Sequence, residues 1–228
     1  MKKYVVVLNF LLMCIAPLMA HAQIIVSDAI LEFKNDQRLI ESIAVGNSDK
    51  THSFNITAEV YEIENPGAMT ENVSKTDTLF VVPSEFSLSP RSQRTVRFAI
   101  KERPEAEKTY KIIFRPTLIN AESDNNSKIK VITSTSVMTI VNPPEAKDNL
   151  SWTREETRIV FTNKGNTNLV LRQTKNCTQT IECQIPGQRL WAGDKWILNL
   201  PKELQDQDIT LEYRSLGNIR EVTVPYEE

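Results

Sequence analysis

From Gln23 onward the apolar residues of this chain recur at every second position, and no long stretch carries helical spacing. Alternation of this kind sends successive side chains to opposite faces and so specifies half-buried strands. Phe54, Ile56, Ala58 and Val60 alternate with polar partners, as do Val96, Phe98 and Ile100, and Tyr110, Ile112 and Phe114. Turn-forming groups such as Asn65-Pro66-Gly67, Ser89-Pro90 and the polar run from Ala121 to Lys128 separate the strand candidates. Many short strands without intervening helices imply antiparallel sandwiches. In 228 residues there is room for one large domain or two of ordinary size. Val141-Asn142-Pro143-Pro144 marks the break, because two consecutive prolines stiffen the backbone and remove amide donors just after a long strand candidate. Beyond it, Arg158–Phe161 and Leu169–Arg172 flank Asn163–Asn166 and read as a hairpin. Ile209–Tyr213 and Ile219–Val224 flank Leu216-Gly217-Asn218. Trp152, Trp191 and Trp196 all fall in this second half, where packing in the core and at the hinge is the expectation.

The first 22 residues have the order of a secretory signal: Lys2 and Lys3, an apolar run from Tyr4 to Met19, then Ala20-His21-Ala22. Cleavage is expected after Ala22. The apolar run is short for a bilayer span and lacks a basic stop-transfer flank, so stable membrane insertion is not expected. Cys14 leaves with the signal. Cys177 and Cys183 remain, an even pair in an oxidising compartment, which points to a disulfide; their spacing is not C-x-x-C and no histidine lies near to suggest metal.

The chemistry excluded is as informative. A formal net charge of -2 offers no concentrated basic surface, so nucleic acid is not an expected partner. His52 is the sole histidine after the signal, and six glycines leave little for a phosphate cradle. Nucleophile elbows and zincin motifs are lacking. Adjacent carboxylates such as Glu155-Glu156 point to opposite faces of a strand. Neither an enzyme nor a cofactor or metal is expected.

Val81-Val82-Pro83 through Ser89-Pro90 to Thr95-Val96-Arg97-Phe98, Glu107-Lys108-Thr109-Tyr110 through Arg115-Pro116, and the Cys177 and Cys183 pair followed by Arg189-Leu190-Trp191-Ala192-Gly193 together resemble the PapD-like family. Its members are the periplasmic pilus chaperones of the chaperone/usher pathway, and the second-domain features are similar to the alternate, class 5 or common-pilus, branch. The resemblance implies an all-β fold of two immunoglobulin-like β-sandwich domains joined by a short proline-containing hinge. The boundaries expected are a signal at 1–22, a first domain at 23–142, a hinge at 143–148 and a second domain at 149–228. It also implies a periplasmic protein that lends its G1 strand to incomplete fimbrial (pilin) subunits and passes them to an outer-membrane usher. A structural pilus component or two-domain adhesin is the alternative.

The strand to be lent runs from Lys128 to Val141. Its row Ile129, Val131, Thr133, Thr135 and Val137 is expected to face the subunit, and Ile132, Met138 and Ile140 the chain's own core. An unprotected donor edge also favours self-association of the free chain. Many family members hold the subunit's terminal carboxylate with an Arg and a Lys, and the corresponding positions here are Ile30 and Met138. The replacements on offer are Lys108 or Lys111, with a hydroxyl from Thr135 or Thr139.

Overall fold

The computed structural model describes residues 23–34, 38–119, 131–175 and 187–226. Residues 1–22, Ile129, Cys177 and Cys183 lie outside the described residues.

Among the described residues, ten strands form the first half. One sheet has the order β1-β3-β8-β6, with β1 at Ile24–Val26, β3 at Ile40–Asn47, β6 at Leu79–Val82 and β8 at Gln93–Ile100. The facing sheet has the order β2-β10-β9-β4-β5, where β2 is Ile30–Phe33, β4 Phe54–Ile63, β5 Val73–Lys75, β9 Lys108–Leu118 and β10 Thr135–Val141. A further strand, β7 at Glu85–Leu88, also pairs with β4. Between Val26 and Ile30 the chain leaves one sheet for the other: β1 pairs antiparallel with β3, whereas β2 pairs parallel with β10. The alternation seen in sequence becomes burial. Phe54, Ile56, Val96, Phe98, Ile112 and Phe114 are enclosed between the sheets together with Phe33, while Asn55, Thr57 and Arg97 face solvent. Truncating one of these phenylalanines to Ala costs about 3–5 kcal/mol, since a close-packed interior relaxes only partly around the lost ring.

The second half has its own core, built on Ile159, Phe161, Leu169, Leu171, Leu190, Ile209, Leu211 and Val224. Its sheets are β11-β12-β15, with strands at Leu150–Glu155, Arg158–Asn163 and Lys195–Asn199, and β14-β13-β16-β17, with strands at Arg189–Leu190, Leu169–Thr174, Ile209–Ser215 and Asn218–Val224. Trp196 stacks on Phe161 at 5.9 Å between ring centroids. The turn between β16 and β17 is a two-residue hairpin, with Leu216 and Gly217 both at positive φ as the right-handed twist of the strands favours.

One expectation fails here. Arg158–Phe161 and Leu169–Arg172 are strands but not a hairpin, because β12 pairs with β11 and β15 while β13 pairs with β14 and β16 in the opposite sheet. The connection crosses the sandwich instead of folding back. Asn163, fully buried, organises it by donating from Nδ2 to the carbonyls of Thr167 and Leu190 and accepting at Oδ1 from Gly165 N. Among the described residues no strand pairing joins the two halves, and residues 142–149 lie between β10 and β11.

Candidate functional site

β10 is the element on which the site is built. Its register with β9 runs from Thr135 opposite Phe114 to Val141 opposite Lys108, and on its other side Met138–Val141 pair with Ile30–Phe33 of β2. Val137, Thr139 and Val141 are wholly buried, since period two turns them all toward the facing sheet. Upstream the same odd-numbered row emerges from the sandwich: Thr135 is half-buried, Thr133 exposed and Val131 70% exposed. β9 continues past its last residue paired with β10, from Arg115 to Leu118. Two bonds from the start of the chain hold the emerging segment, Gln23 Nε2 donating to Val131 O at 2.9 Å and Thr135 Oγ1 donating to Ile24 O at 2.7 Å.

Three sequence expectations are corrected by this geometry. Val137 packs in the chain's own core and offers no surface to a partner. Thr139 is also inside, with its hydroxyl lacking a hydrogen-bond partner among the described residues, so it is not placed to donate to a subunit's carboxylate. On the even-numbered face, expected to be core, Ile140 is buried but Ile132 is 38% exposed and Met138 half-buried. Ile132 precedes the paired part of the strand, and Met138 lies on its outward face.

The two lysines sit three residues apart on β9, hence on opposite faces of the sheet. Lys108 meets Glu62 Oε1 at 2.7 Å, and that hydrogen bond, opposed by partial burial, holds its ammonium above the usual lysine range. Lys111 is directly opposite Met138, which is opposite Ile30, so the two positions where a basic residue was expected and this lysine form one cross-strand row. Lys111 Nζ donates to Glu71 Oε2 at 3.0 Å. Ile30, Met138, Ser136, Ala29 and Ile63 line the cavity beside this pair, of about 260 Å³.

Between the halves, Glu107 just before β9 accepts from Thr167 Oγ1 at 2.7 Å, Asn168 N at 2.9 Å and Asn168 Nδ2 at 2.7 Å. Asn142, buried at the end of β10, donates from Nδ2 to Glu32 Oε1 and has its Oδ1 3.2 Å from Thr167 Oγ1, whose proton goes to the nearer Glu107. Arg189 donates to Asn168 Oδ1; burial pushes its guanidinium pKa down, and the charges of Glu32 and Glu107 partly offset this. Trp191 lies so close to Gly67 that a Cβ there would sit 2.7 Å from its Nε1, and Gly67 also has a positive φ of 83°. Sequence reasoning assigned no role to Glu32, Glu71, Glu107 or Asn142. Their signal is a polar residue beside a strand end, which is too common to single out.

Among the described residues no group of three or more His, Cys, Asp or Glu is placed to hold a metal ion, and no helix is long and apolar enough to cross a membrane.

No protein-family model matches the chain, and no curated protein matches it in sequence. Solved structures do match in fold. The class 5 fimbriae chaperone CfaA is 14% identical with a TM-score of 0.67, over 90% of this chain and 99% of that one. A chain of the Salmonella enterica SafA pilin–SafB chaperone complex is 13% identical with a TM-score of 0.58, over 90% and 97%. A chain of the CsuC–CsuE chaperone-tip adhesion subunit pre-assembly complex from the archaic chaperone-usher Csu pili of Acinetobacter baumannii is 10% identical with a TM-score of 0.54, over 89% and 98%. The chain has the all-β, two-domain sandwich fold of the fimbrial chaperones.

Proposed function

We propose that this chain is a chaperone of the chaperone/usher pathway, similar to the class 5 branch, that stabilises fimbrial subunits by lending them the strand that begins upstream of β10. The observation carrying this reading is the odd-numbered row that leaves the sandwich. A row whose C-terminal part, Val137 to Val141, is buried in its own sandwich continues upstream as half-buried Thr135 and exposed Thr133 and Val131. A subunit lacking its last strand covers the exposed part of the row, so the two cores become continuous across the junction, with Ile129 and Val131 as the main apolar contacts. Burying each such aliphatic side chain contributes about 1.5–3 kcal/mol. Extension of the main-chain ladder along Arg115–Leu118 of β9, beyond its last residue paired with β10, sets the register.

Lys111 is the better of the two candidate anchors for a subunit's terminal carboxylate. It lies in one cross-strand row with Met138 and Ile30, the two positions that are basic in many family members, whereas Lys108 lies on the opposite face of the strand, paired with Glu62. The role of Thr135 is then to steady the donor segment through Ile24, not to bind the client. In this reading residues 1–22 direct export to the periplasm, residues 143–148 act as the hinge between domains 23–142 and 149–228, Cys177 and Cys183 form a disulfide, and an outer-membrane usher receives the loaded complex.

The test is co-production with a secreted pilin subunit that lacks its last strand. Recovery of a one-to-one complex that Val131→Asp disrupts supports the reading. A complex that never forms, or one indifferent to charged substitution at both Ile129 and Val131, contradicts it.

A further inference from the structure

We propose that Glu71 is an internal occupant of the Lys111 site, a carboxylate that a client displaces with its own C-terminal carboxylate, and that the client's last side chain is apolar. This rests on the anchoring role of Lys111 given above. Among the described residues lining that cavity, Lys111 is the cation and Glu71 the anion, and the remaining walls are mostly apolar, from Ile30, Ile63 and Met138. One ammonium beside an apolar floor suits a group that ends in a carboxylate and carries an aliphatic side chain. With about 260 Å³, the space is smaller than the roughly 300–1,000 Å³ of drug-sized ligand sites and suits a single residue.

The two acidic partners of the candidate lysines differ in how they are carried. Glu62 belongs to β4, whose backbone pairs with β9 along its length, so the root of its side chain is held beside Lys108. Glu71 lies in the connection from β4 to β5, whose shape is held by local bonds that do not involve its side chain: Asn65 Nδ2 donates to Thr70 O, Asn72 N to Asn65 Oδ1 and Glu64 N to Asn72 O. Rotating Glu71 away leaves this turn intact. Both side chains of the pair are partly exposed, Lys111 at 38% and Glu71 at 27%, so an incoming carboxylate has direct access. Pairs of this exposure are worth a factor of roughly 1.5 to 5 in an equilibrium constant, enough to tune occupancy and small enough to be overcome. The consequence is selectivity: an amidated or buried chain end cannot compete with Glu71, and a free carboxylate can.

Met138 lines the cavity, and its methyl group serves as the reporter. Chains carrying 13C-methyl methionine are titrated with N-acetyl-leucine, N-acetyl-leucinamide and N-acetyl-glycine, following the Met138 resonance in the natural sequence, Glu71→Gln and Lys111→Met. We expect saturable shifts with N-acetyl-leucine, none with the amide, weaker binding of the glycine compound, a 1.5- to 5-fold tightening in Glu71→Gln, and loss of binding in Lys111→Met. If Lys111→Met abolishes binding while Glu71→Gln leaves it unchanged or weaker, the competitor role of Glu71 is wrong and the anchor stands. If Lys111→Met binds as well as the natural chain, if acid and amide bind alike, or if Glu71→Gln shows no shift at all, the anchor fails and the competitor with it. Equal binding of the glycine and leucine compounds overturns the apolar last residue. Unchanged melting temperatures in both variants show that the effects belong to the site.

Discussion

The two ends of one strand row behave oppositely, although their residues are of similar kind. Val137, Thr139 and Val141 are enclosed, whereas Val131, Thr133 and Thr135 lie open or half-open. Side-chain chemistry does not make the difference, since valine and threonine appear in both. What differs is enclosure: the row is sealed in the sandwich from Val137 onward, whereas upstream it meets the start of β1 through Gln23 and Ile24 and stays open at Val131 and Thr133. A strand that outruns its own sandwich carries an apolar row whose hydrophobic free energy is realised only when another protein completes the second layer. The buried end holds the strand in phase, and the free end carries that phase outward to the client.

Substitutions along the row break or sharpen this contrast. The largest effect is expected for Val137→Asp, which places an unpaired charge in a sealed core and costs upward of about 4 kcal/mol, measured by urea unfolding of the first domain. A loss below about 1 kcal/mol would mean that Val137 is open like Val131. Glu107→Ala removes the acceptor of three hydrogen bonds that tie the root of β9 to the second half, and is expected to cost about 1–3 kcal/mol. Small-angle scattering should then show a broader distribution of overall dimensions; an unchanged profile and unchanged stability would remove this contact from the account. Thr139→Val replaces a buried hydroxyl that lacks a partner among the described residues and is expected to be neutral or stabilising by up to about 1 kcal/mol, with client binding retained. Loss of binding there would revive Thr139 as a contact with the client. The smallest effect on stability belongs to Val131→Asp, within about 0.5 kcal/mol because the site is 70% exposed, while complex formation is lost.

Much of this was legible in the sequence, for a local reason. Period two is a property of neighbouring residues, so the strands around Phe54, Val96 and Tyr110 and the odd-numbered row of β10 could be read directly. Where the row passes from exposed to buried depends on the length of the facing sheet, which no local pattern encodes, and so Val137 and Thr139 were placed on the wrong side of that transition. The same limit explains the false hairpin: Arg158–Phe161 and Leu169–Arg172 both alternate, and alternation does not say which sheet a strand joins. The anchoring row was half visible. Ile30 and Met138 were identified as departures from the usual basic pair, but that Lys111 lies opposite Met138 follows from register, and that Glu71 reaches Lys111 follows from a loop path.

Hydrogen exchange of the amides from Val131 to Val137, with and without an incomplete subunit, tests the central claim most directly. The account predicts that in the free chain Val131–Ser134 exchange rapidly while Val137 is already slow, and that on adding client the slow region spreads upstream through Val131. Exchange of Val131–Ser134 that is the same in the complex as in the free chain would contradict it.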